Sequence, residues 1–252
     1  MIVTKEVWKQ IPLLHIYKEE MNENTPVVIF LHGFMSAKEH NLHYAYQLVE
    51  KGVRVILPDA YLHGERNENL SEIEMNLHFW KIVMKSVAEV NTLYYELKLK
   101  GYLNTDKIGL AGTSMGGITT SGCLRSYDWV HTAGICMGST SFTKLAVHQL
   151  EDFAAKGLNF PMTEQQKAEI FEMLSVYDVD QTTEVFDTCP TIFWHGKQDP
   201  TVPFSMSYSL FEQLQQQGKA REVQFIIDEK AGHAVSRHGV LEVTDWLAQH
   251  LA

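Results

Sequence analysis

The chain has 252 residues, of which 45% are hydrophobic and 21% are charged. This composition is typical of a folded globular protein, and the length is sufficient to bury one large core. The formal charge of -10 argues against the basic surface that nucleic acids and anionic membranes require. We therefore expect neither as a partner.

The sequence contains no apolar run long enough to cross a bilayer, and its first residues lack a basic-then-apolar signal pattern. The three cysteines, Cys123, Cys136 and Cys189, are an odd number without metal-type spacing. They are predicted to be reduced and buried. Together these features predict a cytoplasmic location.

Eight short segments have the pattern of β-strands. Residues 2–9 and 11–17 are predicted to form an antiparallel pair. Residues 26–32 are a near-continuous apolar run, as expected for a strand covered on both faces. The remaining predicted strands are 53–58, 107–112, 132–137, 191–195 and 223–228.

Helical patterns alternate with the later strands. The longest, 71–100, carries apolar residues at helical spacing that include Ile73, Leu77, Trp80 and Val87. Further helices are expected at 41–52, 118–127, 204–218 and 237–251. Alternation of this kind predicts an α/β protein with a mostly parallel eight-stranded sheet and helices on both faces.

The interval between Met137 and Thr191 is too long for a single crossover helix. It contains at least two helical patterns, and the second begins with Thr163 and Gln166 in a capping-box arrangement. We expect a small helical cap inserted at about 141–175. Residues 1–252 would then form one domain.

A nucleophile is indicated by the sequence Gly112-Thr113-Ser114-Met115-Gly116. The G-x-S-x-G pattern follows a predicted strand and precedes a predicted helix, which is the setting of a nucleophile elbow. The alternative is that Ser114 merely caps the helix.

An activated serine needs a base, and the base needs a group that orients it. Asp199 and His233 follow two later strands, in the chain order that this type of site requires. Asp199 precedes Pro200 and could alternatively initiate a turn, and His233 could be an ordinary loop histidine. The ordered trio favours catalysis over either alternative. Three competing residues, Ser139, Asp228 and His238, fit the pattern less well.

Backbone amides must also stabilise the oxyanion of such a reaction. The amide of Met115, directly after the nucleophile, is one candidate, and the amide of Phe34, after the turn at Gly33, is the other. Ser36 and Glu39 are predicted to form a capping box that begins the next helix.

Twelve histidines raise the question of a metal, but no zinc-type spacing is present. His40 and His43 lie three residues apart, and His63 is followed by Gly64 and Glu65. We predict no metal, and the absence of a nucleotide-binding motif predicts no cofactor.

On the basis of these residues, the chain resembles small bacterial serine esterases of the YjfP/YitV type. These belong to the dienelactone hydrolase and prolyl oligopeptidase-like branch of the α/β-hydrolases. The resemblance covers nearly the whole chain and is carried by six motifs: LHGFMSAKE at 31–39, LPDAYLHGER at 57–66, GTSMGG at 112–117, YDV at 177–179, HGKQDPTVP at 195–203 and GH at 232–233.

The resemblance implies an α/β-hydrolase fold and a cofactor-free carboxylesterase that acts on short acyl esters, a small-molecule substrate. Ser114, Asp199 and His233 match the triad positions. Dienelactone hydrolases carry cysteine in place of Ser114, so that lactone chemistry is not expected. The alternatives are a thioesterase, a small-peptide hydrolase or a silent binding module. The oligomeric state is not predicted.

Overall fold

The computed structural model describes residues 1–157 and 162–252. Its centre is an eight-stranded sheet. In chain order, strands β1 to β8 are Ile2–Trp8, Ile11–Tyr17, Val27–Leu31, Arg54–Pro58, Ile108–Thr113, Thr132–Cys136, Thr191–Gly196 and Val223–Asp228. They lie side by side in the order β1-β2-β4-β3-β5-β6-β7-β8. Strand β2 is antiparallel to both β1 and β4, and the remaining pairs are parallel.

Seven α-helices are found in the described part of the chain. In chain order, α1 to α7 are Leu42–Glu50, Glu72–Leu99, Met115–Ser126, Phe142–Ala155, Glu164–Ser175, Ser205–Gln216 and Arg237–Leu251. Helices α1 and α7 pack on one face of the sheet, and α2, α3 and α6 pack on the other. Helices α4 and α5 lie between β6 and β7 in the chain. The predicted α/β fold is therefore confirmed.

The sequence of β3 is an unbroken apolar run because both faces of the strand are buried. Val27, Ile29 and Leu31 face the core under α2, whereas Val28 and Phe30 face the core under α1 and α7. Successive side chains of a strand point to opposite faces, so a strand covered on both sides must be apolar throughout. This burial fixes the central strands, and with them the edge at which they end.

The insertion between β6 and β7 is closed at its base by Asp178, whose side chain is fully buried. Its Oδ1 accepts the amides of Phe142 at 2.5 Å and Thr143 at 3.1 Å, and its Oδ2 accepts the Thr143 hydroxyl. The amide of Val179 returns to the carbonyl of Thr140 at 3.1 Å. The insertion thus begins and ends at one point of the fold.

The capping box predicted at the start of α5 is present. Thr163 accepts the Gln166 amide at 3.2 Å, and the Gln166 side chain accepts the Thr163 amide at 2.9 Å. The box predicted for Ser36 and Glu39 is wrong. Ser36 instead contacts the ring of His40 at 2.9 Å, because the helical turn begins one residue later than predicted, with Ala37 at the N-cap position.

Candidate active site

Ser114 stands at a sharp turn between β5 and α3. Its φ of 54° lies in the left-handed region, which is a strained backbone for a residue with a side chain. The flanking glycines make the turn possible. A Cβ on Gly112 would lie 2.4 Å from the carbonyl carbon of Gly116, and one on Gly116 would lie 2.2 Å from the Leu31 carbonyl oxygen. Only glycine fits either position, so the motif presents the serine above the sheet edge.

Asp199 lies in the loop after β7 and is 9% exposed. Its Oδ1 accepts the amides of Thr201 at 2.8 Å and Val202 at 3.0 Å, so the carboxylate is anchored by its own loop. Asp199 therefore does form the local turn that was the alternative interpretation. The two amides bind Oδ1, so Oδ2 can bind another residue of the site.

His233 is held against the end of β7 by close backbone packing. A Cβ on Gly196 would lie 2.4 Å from the carbonyl oxygen of Gly232, the residue before His233. Asp228 accepts the amides of Lys230 at 3.2 Å and Ala231 at 3.1 Å, which shapes the start of the loop. Gly196 thus allows the loop to cross β7 and bring the imidazole to the serine.

The three predicted side chains form one hydrogen-bonded chain. His233 Nδ1 lies 2.7 Å from Asp199 Oδ2, and His233 Nε2 lies 2.7 Å from Ser114 Oγ. With a proton on Nδ1, Nε2 is an acceptor for the serine hydroxyl. This is the arrangement in which a serine can be deprotonated as it attacks a carbonyl.

Burial alone would raise the pKa of the Asp199 carboxyl. Hydrogen bonds from the rings of His195 and His233 and from the amides of Thr201 and Val202 outweigh it and hold the pKa well below its usual range. The carboxylate is therefore ionised across the physiological range and can stabilise an imidazolium on His233.

His195 is a buried residue of the site that the sequence motif contained without revealing its role. Its Nε2 lies 2.9 Å from the Val202 carbonyl and 3.3 Å from Asp199 Oδ2, and its Nδ1 lies 3.0 Å from Ser207 Oγ. It joins the Asp199 loop to α6. The position at the end of β7 was the signal that could have found it.

The loop after β3 passes beside the serine. A Cβ on Gly33 would lie 3.5 Å from the Cβ of Ser114, and the next residue, Phe34, borders the same pocket. Met115 begins α3, so its amide has no acceptor within the helix. Both predicted oxyanion donors thus belong to segments that flank Ser114.

Two buried side chains, His32 and Lys38, connect this loop to the segment after β4. His32 Nδ1 donates to the Gly33 carbonyl at 2.8 Å, and its Nε2 accepts the Ala60 amide at 3.0 Å. Lys38 Nζ, 1% exposed, binds Asp59 Oδ2 at 2.6 Å and Glu65 Oε1 at 2.8 Å. Burial lowers the pKa of the Lys38 amine, but these bonds outweigh it and raise the pKa. Burial lowers the pKa of His32 to about 4.

Two cavities have no described lining residue in common. One has a volume of about 320 Å³ and is lined by Ser114, His233 and Phe34, with Ser36, His40 and His43 on one side. The other has a volume of about 380 Å³ and lies between α2, α4 and α5, with Trp80, Phe153 and Leu174 in its wall. Of the described lining residues of this second cavity, none belongs to the hydrogen-bonded chain.

The competing residues have other roles. Ser139 is fully buried and donates to the Ser141 carbonyl at 2.8 Å, Asp228 shapes a turn, and His238 lies exposed on α7. Within 1–157 and 162–252, no three His, Cys, Asp or Glu side chains are grouped to hold a metal ion. No helix among those residues is both long and apolar enough to span a membrane.

Comparison with known proteins gives the family. Residues 81–252 match the prolyl oligopeptidase family, and residues 14–128 match the dienelactone hydrolase family. The chain is 39% identical to "Putative esterase YitV" of Bacillus subtilis and 29% identical to esterase YjfP of Escherichia coli, over 96% of each chain in both cases.

A solved structure shares the fold. TT1662 from Thermus thermophilus superposes with a TM-score of 0.74 at 19% identity, over 100% of this chain and 99% of that one. The expected resemblance is confirmed by the family models and by the relatives. The chain belongs to the prolyl oligopeptidase family, and it is a hydrolase with the α/β-hydrolase fold.

Proposed function

We propose that this protein is a serine carboxylesterase that hydrolyses short-chain acyl esters through an acyl-enzyme intermediate. The observation that carries the proposal is the hydrogen-bonded chain from Ser114 through His233 to Asp199, with 2.7 Å at each step. The esterase names of the relatives support the same class of substrate.

In the proposed mechanism, Ser114 Oγ attacks the ester carbonyl while His233 Nε2 takes its proton. Asp199 holds the imidazole in the required tautomer and stabilises the imidazolium. The amides of Phe34 and Met115 donate to the developing oxyanion. His233 then protonates the leaving alkoxide, and a water molecule, activated by the same base, releases the acid from Ser114.

The preference for short acyl groups is supported by the size of the cavity at Ser114. About 320 Å³ lies at the lower end of the range for small-molecule sites, and one side of it is polar. The more apolar cavity beside Trp80 is walled by α2, α4 and α5.

We also propose that residues 1–252 form one domain in which about 141–175 act as a cap. The closure of the insertion at Asp178 supports an excursion from one domain rather than a second domain. The prediction for 158–161 lies outside the described residues. A cytoplasmic location is proposed as well, supported by three free cysteines, all buried.

A second candidate is the hydrolysis of small peptides, which the match to the prolyl oligopeptidase family favours. An amide resists attack more than an ester because its leaving group is poorer. Parallel assays on an acyl p-nitroanilide and the matching p-nitrophenyl ester distinguish peptide hydrolysis from ester hydrolysis. We expect measurable turnover of the ester but not of the anilide.

The deciding experiment compares wild type with Ser114→Ala on p-nitrophenyl acetate, butyrate, octanoate and laurate. We expect the highest kcat/KM on acetate and butyrate, and a fall in kcat of at least about 10⁴-fold in the variant, because triad members act as a unit. Ser126→Ala, at the far end of α3, should behave as wild type.

Near-normal turnover by Ser114→Ala would refute the triad. Absence of turnover on every ester, together with no labelling of Ser114 by a phosphonate probe, would instead favour a silent binding module. A marked preference for laurate would leave the chemistry intact and overturn the short-chain assignment.

A further inference from the structure

The loop that carries the Phe34 amide has a third support, the ring of His63. This residue comes from the segment after β4, is 3% exposed and takes no part in the hydrogen-bonded chain of Ser114. Its Nε2 lies 3.1 Å from the backbone nitrogen of Met35, which donates its N–H to the ring. The ring therefore contacts the residue that directly follows Phe34.

The tautomer of this ring is fixed by its other nitrogen. His63 Nδ1 lies 2.8 Å from the carbonyl oxygen of Tyr61, which can only accept, so Nδ1 carries the proton. In a neutral ring this leaves Nε2 with a lone pair, and the Met35 amide uses it. A protonated ring would present N–H groups on both sides and would lose the bond.

The accepted amide belongs to a strained residue. Met35 has a φ of 56°, in the left-handed region that non-glycine residues rarely adopt. Such a conformation persists when its surroundings hold it. The Met35 amide is part of the peptide unit whose other end is the carbonyl of Phe34, so the bond to His63 restrains the backbone on which the Phe34 amide is carried.

We propose that His63 is a positioning residue for ester hydrolysis, which, as a neutral ring, holds Met35 in its strained conformation and thereby aims the Phe34 amide at the oxyanion. This inference rests on the proposed function, since it assumes that the Phe34 amide is an oxyanion donor. It explains why a histidine of the LPDAYLHGER motif is buried beside a loop that is distant in sequence.

The surroundings of the ring are consistent with a neutral state. His32 lies 5.3 Å from it between ring centroids, and Phe34 lies 5.5 Å from it. Burial lowers the pKa of His63 and the charge of Arg66 lowers it further, whereas the Tyr61 carbonyl and the charge of Asp59 act in the opposite direction. Asp59 is itself bound to Lys38.

The test is a pair of variants that differ by one methylene. In His63→Gln the amide oxygen can reach the place of Nε2 and accept the Met35 amide without titrating. In His63→Asn the shorter side chain can reach only the place of Nδ1, so it can keep the contact with Tyr61 but not the one with Met35. His131→Leu removes an exposed histidine at the opposite end of the parallel strands and serves as the control.

With p-nitrophenyl acetate at pH 8, we expect His63→Asn to lower kcat about 10- to 100-fold, because a misplaced donor acts mainly in the transition state. KM should change less than about threefold. His63→Gln should retain kcat within about threefold of wild type, and His131→Leu should match wild type. Between pH 8 and pH 5, His63→Gln should lose kcat no more steeply than wild type does.

Thermal melting of each variant separates positioning from folding. Wild-type kcat in His63→Asn, or an equal loss in Asn and Gln variants that melt as wild type does, would overturn the inference, as would a change in KM alone. Unfolding of both variants would also overturn it, since the ring would then be needed for the fold itself. An inactive wild type would contradict the proposed function, whereas an active wild type with an unaffected His63→Asn would contradict only the role of His63.

Discussion

The loops around Ser114 and the two-helix insertion above them are held by different means. Around Ser114, backbones approach so closely that Gly116 and Gly196 tolerate no side chain, and buried polar groups fasten each loop. In the insertion, α5 buries a single side chain, Leu174, and Met173 beside it is 47% exposed.

This difference assigns separate tasks to the two regions. Hydrogen bonds and backbone contacts fix the positions of catalytic groups to within a fraction of an ångström, as a proton transfer and an oxyanion donor require. Apolar contacts are non-directional, so the wall of a cavity can change its shape and keep its stability. We therefore expect small structural changes near Ser114 to lower kcat, and similar changes in the insertion to leave kcat nearly unchanged.

The largest effect is expected from Gly196→Ala. The added methyl would meet the backbone at Gly232 and displace the loop of His233, and a displacement of about 1 Å can lower kcat about 100-fold. Steady-state kinetics with p-nitrophenyl acetate and a melting curve would measure it. In Gly232→Ala the methyl has only ordinary contacts, at 3.8 and 3.9 Å, so its kcat should stay within about threefold. Equal activities of the two variants would show that the loop is not held as tightly as proposed.

Acid should weaken the region around Ser114 through His32. The folded protein lowers the pKa of this ring from 6.5 to about 4, so folding favours its neutral form. That contribution is fully present above about pH 6.5 and is lost as the pH falls through about 4, with a total of about 3 kcal/mol. Urea unfolding at pH 7 and at pH 4.5 would measure the loss.

His32→Gln is the matched variant for that experiment, because it keeps an acceptor for the Ala60 amide and does not titrate. We expect its free energy of unfolding to depend less on pH over this range. Parallel pH dependences of wild type and variant would exclude His32 as the cause.

The smallest effects are expected in the insertion. Leu174→Ala removes a fully buried side chain and should lower the free energy of unfolding by about 2–3 kcal/mol. Met173→Ala, one residue earlier, should change it by less than about 0.5 kcal/mol. Both variants should keep kcat on p-nitrophenyl acetate within about threefold. A large loss of kcat in either would mean that the insertion takes part in the chemistry.

Much of the fold was predictable because it depends on local patterns. Strands covered on both faces must be apolar throughout, so each central strand could be located, and the parallel topology gathers the loops after β5, β7 and β8 at one edge. The glycines beside Ser114 indicated a tight turn, because only glycine fits where backbone segments approach so closely. The same arguments predicted that Ser114, Asp199 and His233 lie on loops at that edge.

Local spacing was less informative where the outcome depended on partners distant in the chain. The predicted helix is present as α2, yet Ile73 and Leu77, which fit its apolar period, are more than half exposed, and Leu77 lines the cavity between α2, α4 and α5. Ser36 and Glu39 have the spacing of a capping box, but the helical turn begins after Ala37, and the Glu39 carboxylate lies 3.2 Å from Lys38 Nζ. Local spacing alone does not show which competing partner a side chain will meet.

The sequence by itself thus determined the order of the elements, the layered sheet and the three loops of the candidate site. Only the tertiary structure decided that His195 supports Asp199, that Asp178 closes the insertion, and that His63 accepts the amide of Met35. The physical reason is that strand and helix periods arise from neighbours along the chain. A hydrogen bond between a side chain and a distant backbone amide leaves no periodic trace, and it becomes visible only when the fold has brought the two segments together.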